Sequence, residues 1–192
     1  MSAATTCSAK PRFIHDMQQL NMIQLILAPR NLNWLIGLGC MFMMGVALVF
    51  EHYMHLEPCP MCIFQRVAVI AAGLIALIAA IHGPGQTGIR VYGGLTALAA
   101  AIGATISMRH LWLQSLPEDE VPACGPGLDY LMDIFPLFDV ITMVLQGDGS
   151  CAEVVWSFMG LSIPGWTLVG FIGLIALSGY QVLRPATAPA TA

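Results

Sequence analysis

The sequence predicts an all-α membrane protein: a bundle of four transmembrane helices with one long loop carrying short amphipathic helices. Two observations carry this. Of 192 residues, 57% are hydrophobic and only 9% are charged, whereas a soluble domain carries roughly a quarter charged residues. Four apolar runs, at about 32–50, 63–81, 89–108 and 163–183, are each long enough to cross a bilayer as a helix. The net charge of −4 says little by itself, but the lack of a basic cluster argues against a nucleic-acid partner.

Residues 1–31 form an N-terminal segment expected on the cytoplasmic side. Within it, 13–28 has apolar residues at loosely helical spacing, interrupted by His15, Asp16, Gln18, Gln19 and Gln24, which fits an interfacial helix. It lacks the h-region and small-residue cleavage site of a signal peptide, so it is expected to be retained. Cys7 lies here. The first span, 32–50, has no formal charge, and Trp34 and Tyr53 flank it as an aromatic belt would. Cys40 inside it reads as a small packing residue.

The loop 51–62 leads to Pro58-Cys59-Pro60-Met61-Cys62-Ile63-Phe64-Gln65-Arg66. Span 63–81 follows, with Arg66 as its one formal charge, and then a tight-turn signal at 82–88. Span 89–108 is rich in Gly and Ala, which permits close helix packing in lipid. The loop 109–162 begins polar at Pro117-Glu118-Asp119-Glu120. At 128–145 it becomes amphipathic, with Asp129, Asp133 and Asp139 among apolar residues. Pro136 limits its regularity, so one or two short helices lying on the membrane are expected. Span 163–183 ends at Arg184-Pro185, and 185–192 is a low-complexity Ala/Thr/Pro tail, expected to be disordered and cytoplasmic.

Two residues between Cys59 and Cys62 allow a small, reducible disulfide ring. Cys62 falls at a helix start, where the dipole and free N–H groups favour negative charge. Arg66 is one turn deeper on the same face. A guanidinium there is costly without an anionic or acceptor partner. Each feature has a plainer reading: a structural disulfide or half a zinc site for the cysteines, a snorkelling anchor for the arginine. Glu51, His52, His55 and Glu57 near Cys59 make a metal conceivable, but no closed set of four ligands is apparent, and a hydrated loop is the better reading.

Lys10, Arg12, Arg30, Arg90 and Arg184 fall on one side of a four-span chain, which places both termini in the cytoplasm. Every acidic residue except Asp16 falls on the other side. Cys59, Cys62, Cys124 and Cys151 then share the outer, oxidising compartment. Pairing them as Cys59–Cys62 and Cys124–Cys151 gives one tight ring and one long loop. The long-loop disulfide, flanked by Gly and Pro, suits attack by another protein's thiolate. A plain stabilising disulfide is its alternative. The two pairs together favour a redox relay.

These residues, in this order, closely resemble the DsbB family, the disulfide bond formation protein B of bacterial inner membranes. The resemblance covers roughly 32–184. It rests on Pro58-Cys59-Pro60-Met61-Cys62 with Gln65-Arg66 after a first span, on His110 after the third span and before Pro117, on Cys124, and on Cys151 followed by Ala152-Glu153, Trp156, Phe158 and Gly160. It implies a protein dithiol:quinone oxidoreductase that reoxidises DsbA, a periplasmic thioredoxin-fold partner, and passes electrons to membrane quinone, ubiquinone or menaquinone. By the same resemblance, Cys124 forms the mixed disulfide with DsbA, Cys151 exchanges with Cys59, and Cys62 faces the quinone. Arg66 would hold a quinone oxygen, His110 would assist quinone binding or protonation, and Gln65, where other members carry an acidic residue, would play a supporting part. No resident metal is implied, and a monomer is expected. Three other readings stay open: a vitamin K epoxide reductase-like enzyme, although there the Cys-x-x-Cys lies late in the chain; a specialised DsbB paralogue with a dedicated partner; and a membrane scaffold with structural disulfides.

Overall fold

A computed structural model describes residues 27–184, apart from residue 126. The N-terminal segment as far as residue 26, with Cys7, and the tail from 185 lie outside the described residues. Four long helices carry the fold: α1 (Pro29–Tyr53), α2 (Pro60–His82), α3 (Gln86–Gln114) and α7 (Ile163–Leu183). Between the last two lie α4 (Leu128–Ile134), α5 (Leu137–Gln146), the single turn α6 (Gly149–Ala152), and a two-stranded hairpin, β1 (Ser157–Phe158) with β2 (Leu161–Ser162). The four long helices are all apolar enough to span a membrane. At 1.5 Å rise per residue, the 23 residues of α2 extend about 34 Å, enough for a hydrocarbon core of about 30 Å.

The helix ends follow from local chemistry. Proline occupies the first turn of α1, α2 and α7, where its missing N–H has no intrahelical partner to lose. Gly83 ends α2 in the left-handed region at φ 59°, with its N–H bonded to the Ala79 carbonyl at 3.1 Å. The helices overrun the apolar runs that announced them. α1 continues through Glu51 and His52, and α3 begins at Gln86 and continues through Arg109 and His110 to Gln114. Hydropathy marks where lipid ends. The backbone ladder continues until a breaker arrives, here the Ser115 to Pro117 stretch.

Packing is uneven around the bundle. α2 packs along α1 and α3, and α3 packs along α7, but α1 and α7 touch sparsely. Small residues make the close seams. Ala68, Ala72, Ala76, Ala79 and Ala80 on α2 are buried, and a Cβ on Gly73 would stand 2.8 Å from the Cys40 Cβ. Cys40 is therefore a packing residue between α1 and α2. Phe171 of α7 is fully buried with its ring over Gly103 of α3, in the space a Cβ would fill. Near the ends of α1 and α7, the buried Gln181 Nε2 donates to Asn33 Oδ1 at 2.9 Å, an interhelical bond of the kind lipid favours. Large apolar side chains such as Phe42, Ile81, Ile102 and Ile172 point outward, as lipid-facing positions would.

The long loop does more than lie on a surface. Phe135, before Pro136, is extended and separates α4 from α5. Leu131, Val140 and Val144 turn inward onto Met61, Leu113 and Cys151 to form a second apolar cluster. Phe138 and Leu137 face away from it and stay exposed. The loop is thereby docked onto the first turn of α2 and the last turns of α3.

The Gly103 seam gives a stability prediction. Gly103→Ala should lower stability by about 1–3 kcal/mol, because Phe171 must move. Gly45→Ala, at a position open on all sides, should be neutral or slightly stabilising. Thermal unfolding of the two variants in detergent would check the contrast.

Candidate active site

Cys59 is the N-cap of α2, extended at φ −66° and ψ 162°. Its sulfur accepts from the Cys62 N–H at 3.4 Å and lies 3.0 Å from the Cys62 sulfur. Pro60 fixes the helix start between them, so the first turn of α2 holds both sulfurs side by side. A third sulfur joins from the loop. Cys151, buried in α6, lies within 4.8 Å of both the Cys59 sulfur and a nitrogen of His110. His110 Nε2 is 3.8 Å from Cys59 Sγ, and its Nδ1 is 3.2 Å from Gln65 Nε2. His110 and Gln65 are both buried. The Cys59 sulfur beside it, and then burial, push the Cys151 thiol well above its usual range.

Cys40, Cys59, Cys62, Cys124 and Cys151 are free thiols in this structure. The expected Cys59–Cys62 partners are adjacent but unbonded. Cys151 lies against Cys59, and no bond joins it to Cys124. Cys124 is exposed and sits over Gly149, where a Cβ would stand 2.9 Å from its sulfur. Gly149 N–H also donates to the Ala123 carbonyl at 3.4 Å. The lack of a side chain at Gly149 thus lets the loop segment carrying Cys124 lie directly on α6. One exposed thiol and one buried thiol flank the same turn.

Beside the sulfurs, where α1 and α7 fail to close, is a cavity of about 590 Å³. Its walls are apolar and aromatic: Phe42, Phe50 and Met43 of α1, Val69 of α2, and Trp156 and Trp166. Trp156 stacks with Phe158 and tilts against Phe50, while Trp166 Nε1 donates to the Phe158 carbonyl at 3.1 Å. The hairpin and its tight turn at Met159 and Gly160, both at positive φ, hold these rings together. Cys62, Gln65 and Arg66 give the cavity its polar wall, with Glu57 at one side. Arg66 forms an ion pair with Glu51 through Nη1, and its Nη2 donates to the Ala47 carbonyl at 3.4 Å. The anionic partner that Arg66 requires is thus Glu51.

Cys62 and Arg66 share the cavity face, as their four-residue spacing predicts. Gln65 reaches both the cavity and His110. His110 is not among the cavity's lining residues; it lies on the sulfur side. The polar loop residues do not gather around Cys59. His52 bonds back to the Leu48 carbonyl at 3.1 Å, and His55 and Glu57 are exposed. Two functional placements were missed in the sequence. Glu51 reads as a loop acid, although an unpaired acid ending one span and a lone arginine starting the next are a signal. Arg109 stands in the sequence only as a basic residue on the outer side of the four-span chain. In the structure its Nε and Nη2 donate to the Leu145 and Gln146 carbonyls at 3.2 and 3.0 Å, and its guanidinium lies 4.0 Å from the centre of the Trp112 ring.

The family model described as disulfide bond formation protein DsbB matches residues 29–181. The chain belongs to the DsbB family. Its similar relatives, each named Disulfide bond formation protein B, include one from Saccharophagus degradans, 55% identical over 157 residues, covering 82% of this chain and 95% of the relative. Others are from Hahella chejuensis, 49% identical over 158 residues (82% and 96%), and Marinobacter nauticus, 51% identical over 155 residues (79% and 92%). The DsbB match takes in three of the long helices, the fourth as far as residue 181, and both cysteine-bearing loops, so the sulfur cluster and the cavity lie within it.

Arg109 anchors the C-terminus of α5 and so the loop that presents Cys151. Arg109→Gln should speed amide exchange in 137–152 about tenfold, within the net strength of such bonds, and should make Cys151 more reactive to maleimide. Hydrogen–deuterium exchange with mass spectrometry reads the first effect. Unchanged exchange would mean that these contacts do not hold the loop.

Proposed function

We propose that the chain is a membrane dithiol:quinone oxidoreductase that reoxidises a DsbA-like periplasmic thioredoxin-fold protein. One observation carries the reading: Cys62 lies against Cys59 and also in the wall of an apolar cavity that contains Arg66. A single sulfur thereby links a thiol-exchange cluster to a slot for an apolar acceptor. The cavity fits a quinone ring. It is in the size range of small-molecule sites, its walls are aromatic and aliphatic, and its one cation is tethered in the wall.

The thiol steps balance without an outside oxidant once Cys59–Cys62 and Cys124–Cys151 are disulfides. The partner's thiolate attacks Cys124, the exposed sulfur, forming a mixed disulfide and releasing Cys151 as thiolate. Cys151 attacks Cys59, forming Cys59–Cys151 and releasing Cys62. The partner's second thiolate resolves the mixed disulfide, leaving the partner oxidised and Cys124 reduced; Cys124 then attacks Cys151, re-forming Cys124–Cys151 and leaving Cys59 and Cys62 as the reduced pair. The placement of Cys151 against Cys59 suits the second of these exchanges. His110 lies where it can take or return a proton at Cys59. Quinone, when bound, supplies a two-electron acceptor whose carbonyl oxygens gain negative charge. Arg66 offers that charge a fixed donor, and Glu51 with the Ala47 carbonyl holds the guanidinium in the wall. Cys62, Arg66 and Gln65 would line the quinone. In this reading the protein sits in a bacterial inner membrane, draws on lipid-borne quinone, keeps both termini in the cytoplasm, and presents its four cysteines to the periplasm.

Quinone reduction by the purified protein in nanodiscs, with a reduced thioredoxin-fold protein as donor, tests the reading. Ser at Cys59, Cys62, Cys124 or Cys151 should abolish turnover, while Ala at Cys7 or Cys40 should leave it nearly intact. Full turnover by Cys124→Ser would end the relay.

Arg66→Met keeps an apolar stem and removes the donors. Charge-assisted hydrogen bonds contribute roughly 1.5–3 kcal/mol, so kcat/KM for quinone should fall about 10- to 100-fold. Arg66→Lys should recover only part of this, because an ammonium lacks the planar fork. Exchange between the donor protein and Cys124 should be nearly unchanged. Initial rates against quinone and donor concentration separate the two steps, and normal quinone kinetics in Arg66→Met would reduce Arg66 to a membrane anchor.

A further inference from the structure

Cys59, His110 and Cys151 come from three elements: the α1–α2 connection, α3 and α6. Their donor atoms lie within 4.8 Å of one another, and His110 and Cys151 are buried. The Cys62 sulfur is 3.0 Å from Cys59 but lies outside this group of three. Zinc holds sulfur at about 2.3 Å and imidazole nitrogen at about 2.0–2.1 Å, so its tetrahedral ligands stand roughly 3.3–3.8 Å apart. The Cys59–His110 separation of 3.8 Å already matches. The contacts of Cys151, within 4.8 Å, must close by up to about 1–1.5 Å to reach that tetrahedral spacing, which side-chain rotation can supply.

The surroundings suit a soft ion. Thiolate and imidazole select zinc, cadmium or copper(I) over magnesium or calcium. Gln65 lies 3.2 Å from His110 Nδ1, and its amide can turn either oxygen or nitrogen toward the ring. With the oxygen inward it accepts the Nδ1 proton, fixing the tautomer that leaves Nε2 free for a metal. The loop residues Glu51, His52, His55 and Glu57 do not contribute.

We propose that the reduced chain binds one soft divalent cation, Zn2+ or Cd2+, through Cys59, Cys151 and His110, with a solvent ligand in the fourth position and Gln65 orienting the histidine. Binding transfers no electrons. Each coordinating thiol releases its proton to solvent, and the metal takes its place. The ion occupies the sulfurs that exchange requires, so it holds the protein in the reduced form. That consequence rests on the proposed thiol exchange; the binding itself does not.

Cadmium titration of the full-length protein in nanodiscs tests this, read by the ultraviolet sulfur-to-cadmium charge-transfer band. The reduced protein should bind one Cd2+ per chain and the disulfide form none. Cys124→Ser and Cys40→Ala should bind as the wild type does. Cys59→Ala, Cys151→Ala and His110→Ala should each weaken binding at least about tenfold, and Gln65→Leu about 10- to 100-fold. Wild-type affinity in His110→Ala, or loss of binding in Cys124→Ser, would overturn the site. X-ray absorption of the zinc-loaded wild type needs no variant: a mixed shell of sulfur, one nitrogen and a solvent oxygen is expected, and a sulfur-only or sulfur-free shell would overturn it. Quinone reduction by metal-free protein is measured in parallel. Its failure counts against the proposed function alone, while a failed titration with normal turnover counts against the metal site alone.

Discussion

The first turn of α2 is the constraint on which the rest depends. Pro60 fixes where the helix begins, and Cys59 becomes its cap. From that point the 3.6-residue period distributes the side chains. Cys62 and Arg66 fall on the face toward the cavity. Met61 and Gln65 turn into the protein, where Met61 is fully buried and Gln65 meets His110. One turn of helix therefore separates a sulfur and histidine cluster from an apolar cavity, and Cys62 belongs to both.

The cavity exists because the bundle packs unevenly. Small residues draw α2 against α1 and α3, and Gly103 admits the Phe171 ring between α3 and α7. No comparable seam joins α1 to α7, so the space between them is left to be lined by Phe42, Phe50, Trp156 and Trp166. The hairpin partly covers it, because the tryptophans that line it are tied to Phe158 by ring contacts and a hydrogen bond. Close packing in one part of the bundle and openness in another come from the same distribution of glycine and alanine.

Three polar groups in the apolar frame have partners that also position something. Arg66 meets Glu51 across α1 and α2 and is thereby fixed at the cavity wall. Arg109 meets the terminal carbonyls of α5 and thereby holds the loop that carries Cys151. Gln181 meets Asn33 at the opposite end of the bundle. In a medium with few water molecules, an unsatisfied polar group is costly, so each of these contacts constrains geometry as it satisfies charge or hydrogen bonding.

Much of this was legible in the sequence. Long apolar runs must span, because lipid offers backbone groups no partners. Prolines at helix starts and Gly83 at a helix end mark boundaries by local chemistry. The four-residue spacing places Cys62 and Arg66 on one face whatever the rest of the chain does. These features depend on neighbours along the chain, so a linear reading reaches them. The tertiary structure decided the remainder. It set Cys151 beside Cys59 across 92 positions of sequence, paired Glu51 with Arg66, put His110 on the sulfur side of Gln65, and left α1 and α7 in sparse contact. Each of these depends on how helices and a folded loop pack against one another, and side-chain volume and hydrogen bonding between distant segments settle that only when the bundle assembles.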